Sequence, residues 1–195
     1  MSTHKLLIHP LSTETKFVGG EDFVKYLSDI EFIGSPNERG AYRLGKRFFE
    51  LLQFDKPHKP LLMSVDNGKV ILSEPEEPIF VVELTNYEKP EFLASAYTRE
   101  PYCRNCKHKI PDFFNIAGEA YEVNLLNPNS FNWKCPECET MLKIHELEWQ
   151  HTFSIFWYSI TVWHIHWKEA IPTGRLLSLL QEYSGQRWSY TYYRF

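Results

Sequence analysis

The chain of 195 residues has no excess of positive charge, no long apolar run and no glycine-rich phosphate loop. Lys and Arg number 21 against 25 Asp and Glu, a net charge of −4, which disfavours nonspecific binding to a nucleic-acid backbone. No segment reverses this. Residues 1–98 hold 11 basic against 15 acidic side chains, 99–149 hold 6 against 8, and 150–195 hold 4 against 2. The most apolar stretch, FSIFWYSITVW, is too short to cross a bilayer and carries Ser and Thr. The N-terminal MSTHKLLIHPL meets His9 and Pro10 before it can become the apolar segment of a signal peptide. A soluble, cytoplasmic protein with no membrane partner is therefore expected. GxSxG nucleophile turns and HExxH helices are also missing, so no catalytic residue is predicted and the chain is not expected to be an enzyme.

What is present fits a globular protein. Hydrophobic residues make up 43% and charged residues 24%, and aromatics reach 16%, with Trp149, Trp157, Trp163, Trp167 and Trp188 gathered in the last third. The length suits one core plus a small metal-stapled module.

The pattern predicts α+β: a mixed sheet with packed helices and an inserted module that holds four cysteines. KLLIHPL reads as an opening strand. GEDFVKYLSDI reads as a helix burying Phe23, Leu27 and Ile30 behind a VGG turn, and YRLGKRFFELLQF as a second helix burying Leu44, Phe48 and Leu51. LLMSV and KVILS flank a DNG turn, and IFVVEL is a further strand, with the acidic SEPEEP a solvated connector between them. EKPEF and TREPY then flank a connection into the cysteine region. TFSIFWYSITVWHIHW alternates over its length as a long strand covered on both faces. IPTGRLLSLLQEYSG reads as a helix capped by Thr173 and closed by Gly185, with Leu176, Leu177, Leu180 and Tyr183 buried, and WSYTYYRF as a final strand. Strand, helix and strand make a crossover on a sheet. The expected division is an N-terminal α+β unit at 1–98, a cysteine module at 99–149 and a C-terminal strand-helix-strand at 150–195.

The four cysteines, Cys103, Cys106, Cys135 and Cys138, form C-x2-C-x28-C-x2-C and leave none over. A two-residue gap lets both sulfurs of a tight turn reach one ion, and two such turns complete a tetrahedron, so one structural Zn²⁺ is expected. In a reducing setting disulfides are disfavoured. A redox pair would need an apolar strand running into a helix start, which neither TREPY nor FNWK provides. An iron-sulfur cluster also takes four thiolates, and spacing alone does not separate it from zinc. Four thiolates close a site that a catalytic ion would need open, and His108 or His145 would have to replace a cysteine to change that.

The arrangement over about residues 100–150 resembles the zinc ribbon, a superfamily in which two cysteine turns at the ends of β-hairpins grip one zinc. That resemblance implies that Cys103, Cys106, Cys135 and Cys138 are the four ligands. Many ribbons carry glycine soon after the second cysteine of a pair, where this chain has Lys107-His108 and Glu139-Thr140. The double CxxC is also similar to that of bacterial immunity proteins.

With no catalytic set, a protein partner is expected, in a role of the immunity or antitoxin type. The alternative is a nucleic-acid-binding ribbon with phosphate contacts from Arg104, Lys107, Lys109, Lys134 and Lys143, which cluster around the cysteine turns. A second alternative is a metal-dependent enzyme using His164 and His166, which fall on one face of the long strand. Tyr42, Arg43, Lys46, Arg47 and Phe48 form a basic-aromatic group on the second helix, most simply its polar side.

Overall fold

A computed structural model describes residues 4–11, 16–55, 62–66, 69–73, 80–95, 97–111, 113–116, 118 and 132–194. In chain order the elements are β1 (His4–Pro10), α1 (Glu21–Asp29), β2 (Ile33–Pro36), β3 (Tyr42–Leu44), α2 (Phe48–Leu51), β4 (Leu52–Phe54), β5 (Leu62–Asp66), β6 (Lys69–Ser73) and β7 (Val82–Leu93). There follow β8 (Asn132–Lys134), β9 (Met141–Lys143), β10 (Ser154–Trp163), β11 (Ala170–Pro172), α3 (Gly174–Ser184) and β12 (Trp188–Arg194). The class is α+β. No helix among the described residues is long and apolar enough to cross a membrane.

Six strands form one sheet in the order β12-β1-β10-β7-β3-β2, and every pairing between neighbours is antiparallel. β10 and β12 both oppose β1, so they run parallel to each other with β1 between them. α3 is the crossover that joins them, and the parallel relation of a mixed sheet exists only across that intervening strand.

Register decides which side chains meet the helices. Leu6 opposes Val162 and Tyr192, and Ile8 opposes Ile160. These side chains are buried with Phe23 and Leu27 of α1 and Leu176 and Leu180 of α3 in the main core. Tyr26 Oη donates to the Leu179 carbonyl at 2.8 Å and ties the two helices together. Thr173 Oγ1 accepts from Leu176 N at 3.2 Å and donates to the Leu51 carbonyl at 3.0 Å, and Gly185 closes α3 at φ 68°. Tyr183, predicted to be buried, is 39% exposed. The opposite face of the sheet buries Ser159, Thr161 and Thr191 beside Leu7, Leu93 and Phe156.

Two sequence expectations are corrected and a third is extended. Residues 42–54 are not one helix but β3, a bend, α2 and β4. The bend is at Gly45, where an added Cβ would lie 2.0 Å from the Glu31 carbonyl oxygen, so the backbone crosses there too closely for a side chain. Phe48 and Leu51 are still buried, whereas Arg47 pairs with Glu50 at 3.0 Å and Lys46 with Glu31 at 3.9 Å instead of lining a helix face. The strand expected over IFVVEL runs on through EKPEF to Leu93 as β7. Residues 87–90 of β7 oppose only Trp157 of β10, and this bulge accommodates Pro90 without a missing ladder bond. The long strand stops at Trp163, beyond which the His164 N–H donates to the His4 carbonyl at 2.9 Å. His164 turns away at φ 68°, so His164 and His166 do not share a strand face. His166 N donates to Glu169 Oε2 at 2.7 Å inside the turn that leads to β11.

β5 and β6 form the hairpin expected around DNG. SEPEEP beyond Ser73 lies outside the described residues, as do residues 119–131 between the two cysteine pairs; the chain between those pairs is helical at 113–116.

Candidate metal centre

Each cysteine pair occupies the turn of a short hairpin, and the two hairpins repeat one another. In the first, Tyr102 bridges Lys109, Lys107 N donates to the Cys103 carbonyl at 2.9 Å, and Cys103 N donates to the His108 carbonyl at 2.8 Å. In the second, Lys134 opposes Met141, Glu139 N donates to the Cys135 carbonyl at 2.9 Å, and Cys135 N to the Thr140 carbonyl at 3.0 Å. Lys107 and Glu139 take the corresponding left-handed position, with φ 62° and 57°. Glycine is the residue that adopts this conformation without strain. The sequence signal for the turn was thus present in the spacing and absent in the residue type.

The turns bring all four sulfurs within 4.8 Å of one another. Cys103 Sγ lies 3.7 Å from Cys138 Sγ, and Cys106 Sγ lies 3.6 Å from Cys135 Sγ. A tetrahedron with metal-sulfur bonds of 2.3 Å has sulfur-sulfur edges of about 3.8 Å, so these two contacts fit a shared ion. They are far longer than a disulfide bond of about 2.05 Å. The cluster can hold a metal.

Cys103 and Cys135 are fully buried, whereas Cys106 is exposed and Cys138 partly so. The buried pair joins Ile110, Phe113, Leu142, Ile144, Leu147 and Trp149 in a second core, which reaches the sheet through Phe153 and Ile155. Trp149 Nε1 donates to the Ile144 carbonyl at 2.7 Å and fixes the base of the module.

The electrostatics of the sulfurs point the same way. The hydroxyl and then the backbone N–H of Thr140, followed by the Asn105 amide, favour the thiolate of Cys138 and hold its pKa down at about 5. Cys106 receives the His108 backbone N–H, yet burial and the three neighbouring sulfurs together push it up to about 12. Four thiolates this close repel one another unless a cation sits among them. Thr140 and Asn105, joined at 3.1 Å, are the contributors that spacing arguments missed; their only sequence signal is proximity to the cysteines.

The basic residues around the turns have their own partners. Lys109 pairs with Glu100, Lys134 with Glu139 at 3.1 Å, and His108 lies 3.7 Å from Glu137. The backbone N–H of Lys143 donates to Glu146 Oε2 at 2.8 Å as β9 ends. Arg104 and Lys107 remain exposed on the first turn.

The module meets the sheet at a turn over Trp149–Thr152. Thr152 N donates to the Trp149 carbonyl at 3.0 Å, with Gln150 and His151 both left-handed at φ 53° and 60°. His151 lies along the outer edge of β12: its carbonyl accepts Tyr192 N and its Nδ1 donates to the Tyr190 carbonyl, both at 2.9 Å.

The two histidines proposed for a second metal are separated by the turn described above, and the ring facing His166 is that of His4, with centroids 4.2 Å apart. Among the described residues, the four cysteines form the one group of three or more metal-ligating side chains. No protein-family model, curated protein or solved structure matches the chain.

Proposed function

We propose that this is a protein-binding protein whose fold is fixed by one structural zinc ion. The observation that carries the proposal is the closed set of four sulfurs within 4.8 Å, flanked on the same module by Phe114 and Met141, which are 60% and 56% exposed. Four thiolates fill a tetrahedral ion and leave no position for water or substrate, so the metal acts as a clamp. One ion suits these short separations better than an iron-sulfur cluster, which spreads its thiolates over several irons. Large apolar side chains held in solvent beside a rigid clamp are the kind of surface that a partner covers. The specific form we favour is an immunity or antitoxin role in the cytoplasm, where a small acidic protein occludes its target and its cysteines stay reduced.

The test begins with elemental analysis, where one zinc per colourless chain is expected. Wild type and a Phe114→Asp/Met141→Asp variant then serve as baits in the native host. A stoichiometric protein retained by the wild type and lost by the variant, at equal zinc content, supports the proposal. Equal capture by both baits, or capture of nothing, refutes it.

Exposed Arg104 and Lys107 favour nucleic-acid binding as the second reading, with Lys109, Lys134 and Lys143 nearby. It requires binding to single- or double-stranded nucleic acid at low salt, where electrostatic affinity is strongest. An enzyme using His164 and His166 would require a second metal equivalent per chain.

A further inference from the structure

A cleft of about 270 Å³ opens where the cysteine module meets the end of the large sheet, and the metal site makes no use of it. Its walls include buried polar side chains from three strands: His9 of β1, Ser154 of β10 and Thr191 of β12, none more than 6% exposed. His9 Nδ1 donates to the Pro10 carbonyl at 3.1 Å, so its Nε2 accepts from the Thr191 hydroxyl at 3.1 Å. Thr191 has then already given its proton. Ser154 Oγ differs, because it is buried and has no hydrogen-bond partner among the described residues. A buried hydroxyl in that state is unfavourable unless something within the cleft bonds it.

Two arginines also line this cleft. Arg104 comes from between the first two cysteines and Arg187 from the residue before β12. Lys109 and Lys134 close by each lean on a carboxylate, whereas neither arginine has an ion-pair partner among the described residues. Glu148 lines the cleft as well, and its carboxylate accepts the Gln150 N–H at 3.3 Å. Against two guanidinium groups this leaves the cleft net positive. The His151 ring, stacked on Tyr190 at 4.0 Å and 5°, supplies a rigid flat wall.

We propose that this cleft binds a small-molecule oxyanion, a phosphate or carboxylate compound, with Arg104 and Arg187 facing its charge and the Ser154 hydroxyl donating to it. Guanidinium forks match such oxygens two at a time. The volume suits a compound of metabolite size. Arg104 is carried by the module and Arg187 by the sheet, so the site is complete only while both are folded against each other. The proposal is independent of the protein-binding role and survives its failure.

The test is calorimetric titration of the zinc-loaded full chain with inorganic phosphate and, separately, with succinate, at ionic strength fixed by sodium chloride. Saturable binding of one molecule per chain is expected for at least one probe, and which one binds tells a phosphoryl from a carboxylate ligand. Arg104→Gln and Arg187→Gln should each weaken it about tenfold, and the double variant should abolish it. Ser154→Ala should weaken it without altering charge. Lys107→Gln, on the same turn but outside the cleft, should leave it unchanged, and equal zinc content together with an unchanged circular-dichroism spectrum certifies that each variant is folded. No binding of either probe, or undiminished binding by the folded double variant, overturns the proposal.

Discussion

Removing the metal should unfold the cysteine module and leave the six-stranded sheet standing. The two cores share no described residue: the one around Leu6, Ile160 and Leu176 draws nothing from the described part of 99–149, and the one around Cys103 and Cys135 packs on the sheet through Phe92, Phe153 and Ile155. A structural zinc site contributes on the order of 10 kcal/mol, comparable with the roughly 5–15 kcal/mol that stabilises a whole domain. A module with eight described buried side chains of its own and two short hairpins cannot offset that loss. Hydrogen exchange before and after treatment with a strong chelator measures it. Protection should disappear at the amides of Lys107, Ile110, Glu139 and Glu148, all of which are hydrogen-bonded within the module. It should persist in β1 and β10. Cys103→Ser and Cys106→Ser should both release the metal. Once metal-free, the Cys103→Ser chain should be the less stable of the two if any module structure persists, because Cys103 is buried and Cys106 exposed. Unchanged protection in the chelated wild type would refute a structural role for the ion.

Three further predictions follow from particular residues. Lys107→Gly should stabilise the metal-bound protein by about 0.5 kcal/mol, since relief of about 1–2 kcal/mol of left-handed strain exceeds the entropy glycine adds to the unfolded chain; urea melts of the two proteins measure it. Gly45→Ala should cost more than about 2 kcal/mol by the same assay, because its Cβ would press on the Glu31 backbone. Burial lowers the pKa of His9 to about 4, so the folded state binds fewer protons than the unfolded state between that value and about 6.5. Its contribution, on the order of 3 kcal/mol, is present above pH 6.5 and lost as pH falls toward 4. The stability difference between wild type and His9→Gln should therefore shift in favour of the variant as pH drops through that window, and a pH-independent difference would contradict it.

The α+β class, α1, α3 with its caps, and the β5–β6 hairpin were legible because local chemistry and tertiary packing agree there. Thr173 and Gly185 cap α3 as their residue types require. The second helix misled because Leu44, Phe48 and Leu51 keep helical spacing, while Gly45 approaches a carbonyl 14 residues earlier in sequence, which no local pattern reveals. The strand read over IFVVEL continues through Pro90 because a bulge opposite Trp157, 67 residues away, accommodates the proline. The apolar alternation through Ile165 and Trp167 continues past the end of β10 because a tight turn can also bury every second residue. At the metal centre, residue type and spacing identified the cysteines, since each pair is a local turn. The roles of Thr140, Asn105 and Glu100 depend on contacts between the turns and strands, which spacing does not encode.

With the proposed metal in place, the Trp149–Thr152 turn would link its fate to the solubility of the protein. β12 is an edge strand, and two of its outward backbone groups, Tyr192 N and the Tyr190 carbonyl, are occupied by His151. That turn hangs from Trp149, part of the core that the clamp holds together. Loss of the ion would free both groups along a tyrosine-rich strand, the form of edge on which chains add to one another. The clamp would thus guard a sheet edge through His151, and metal starvation would register as self-association before the large sheet itself gave way.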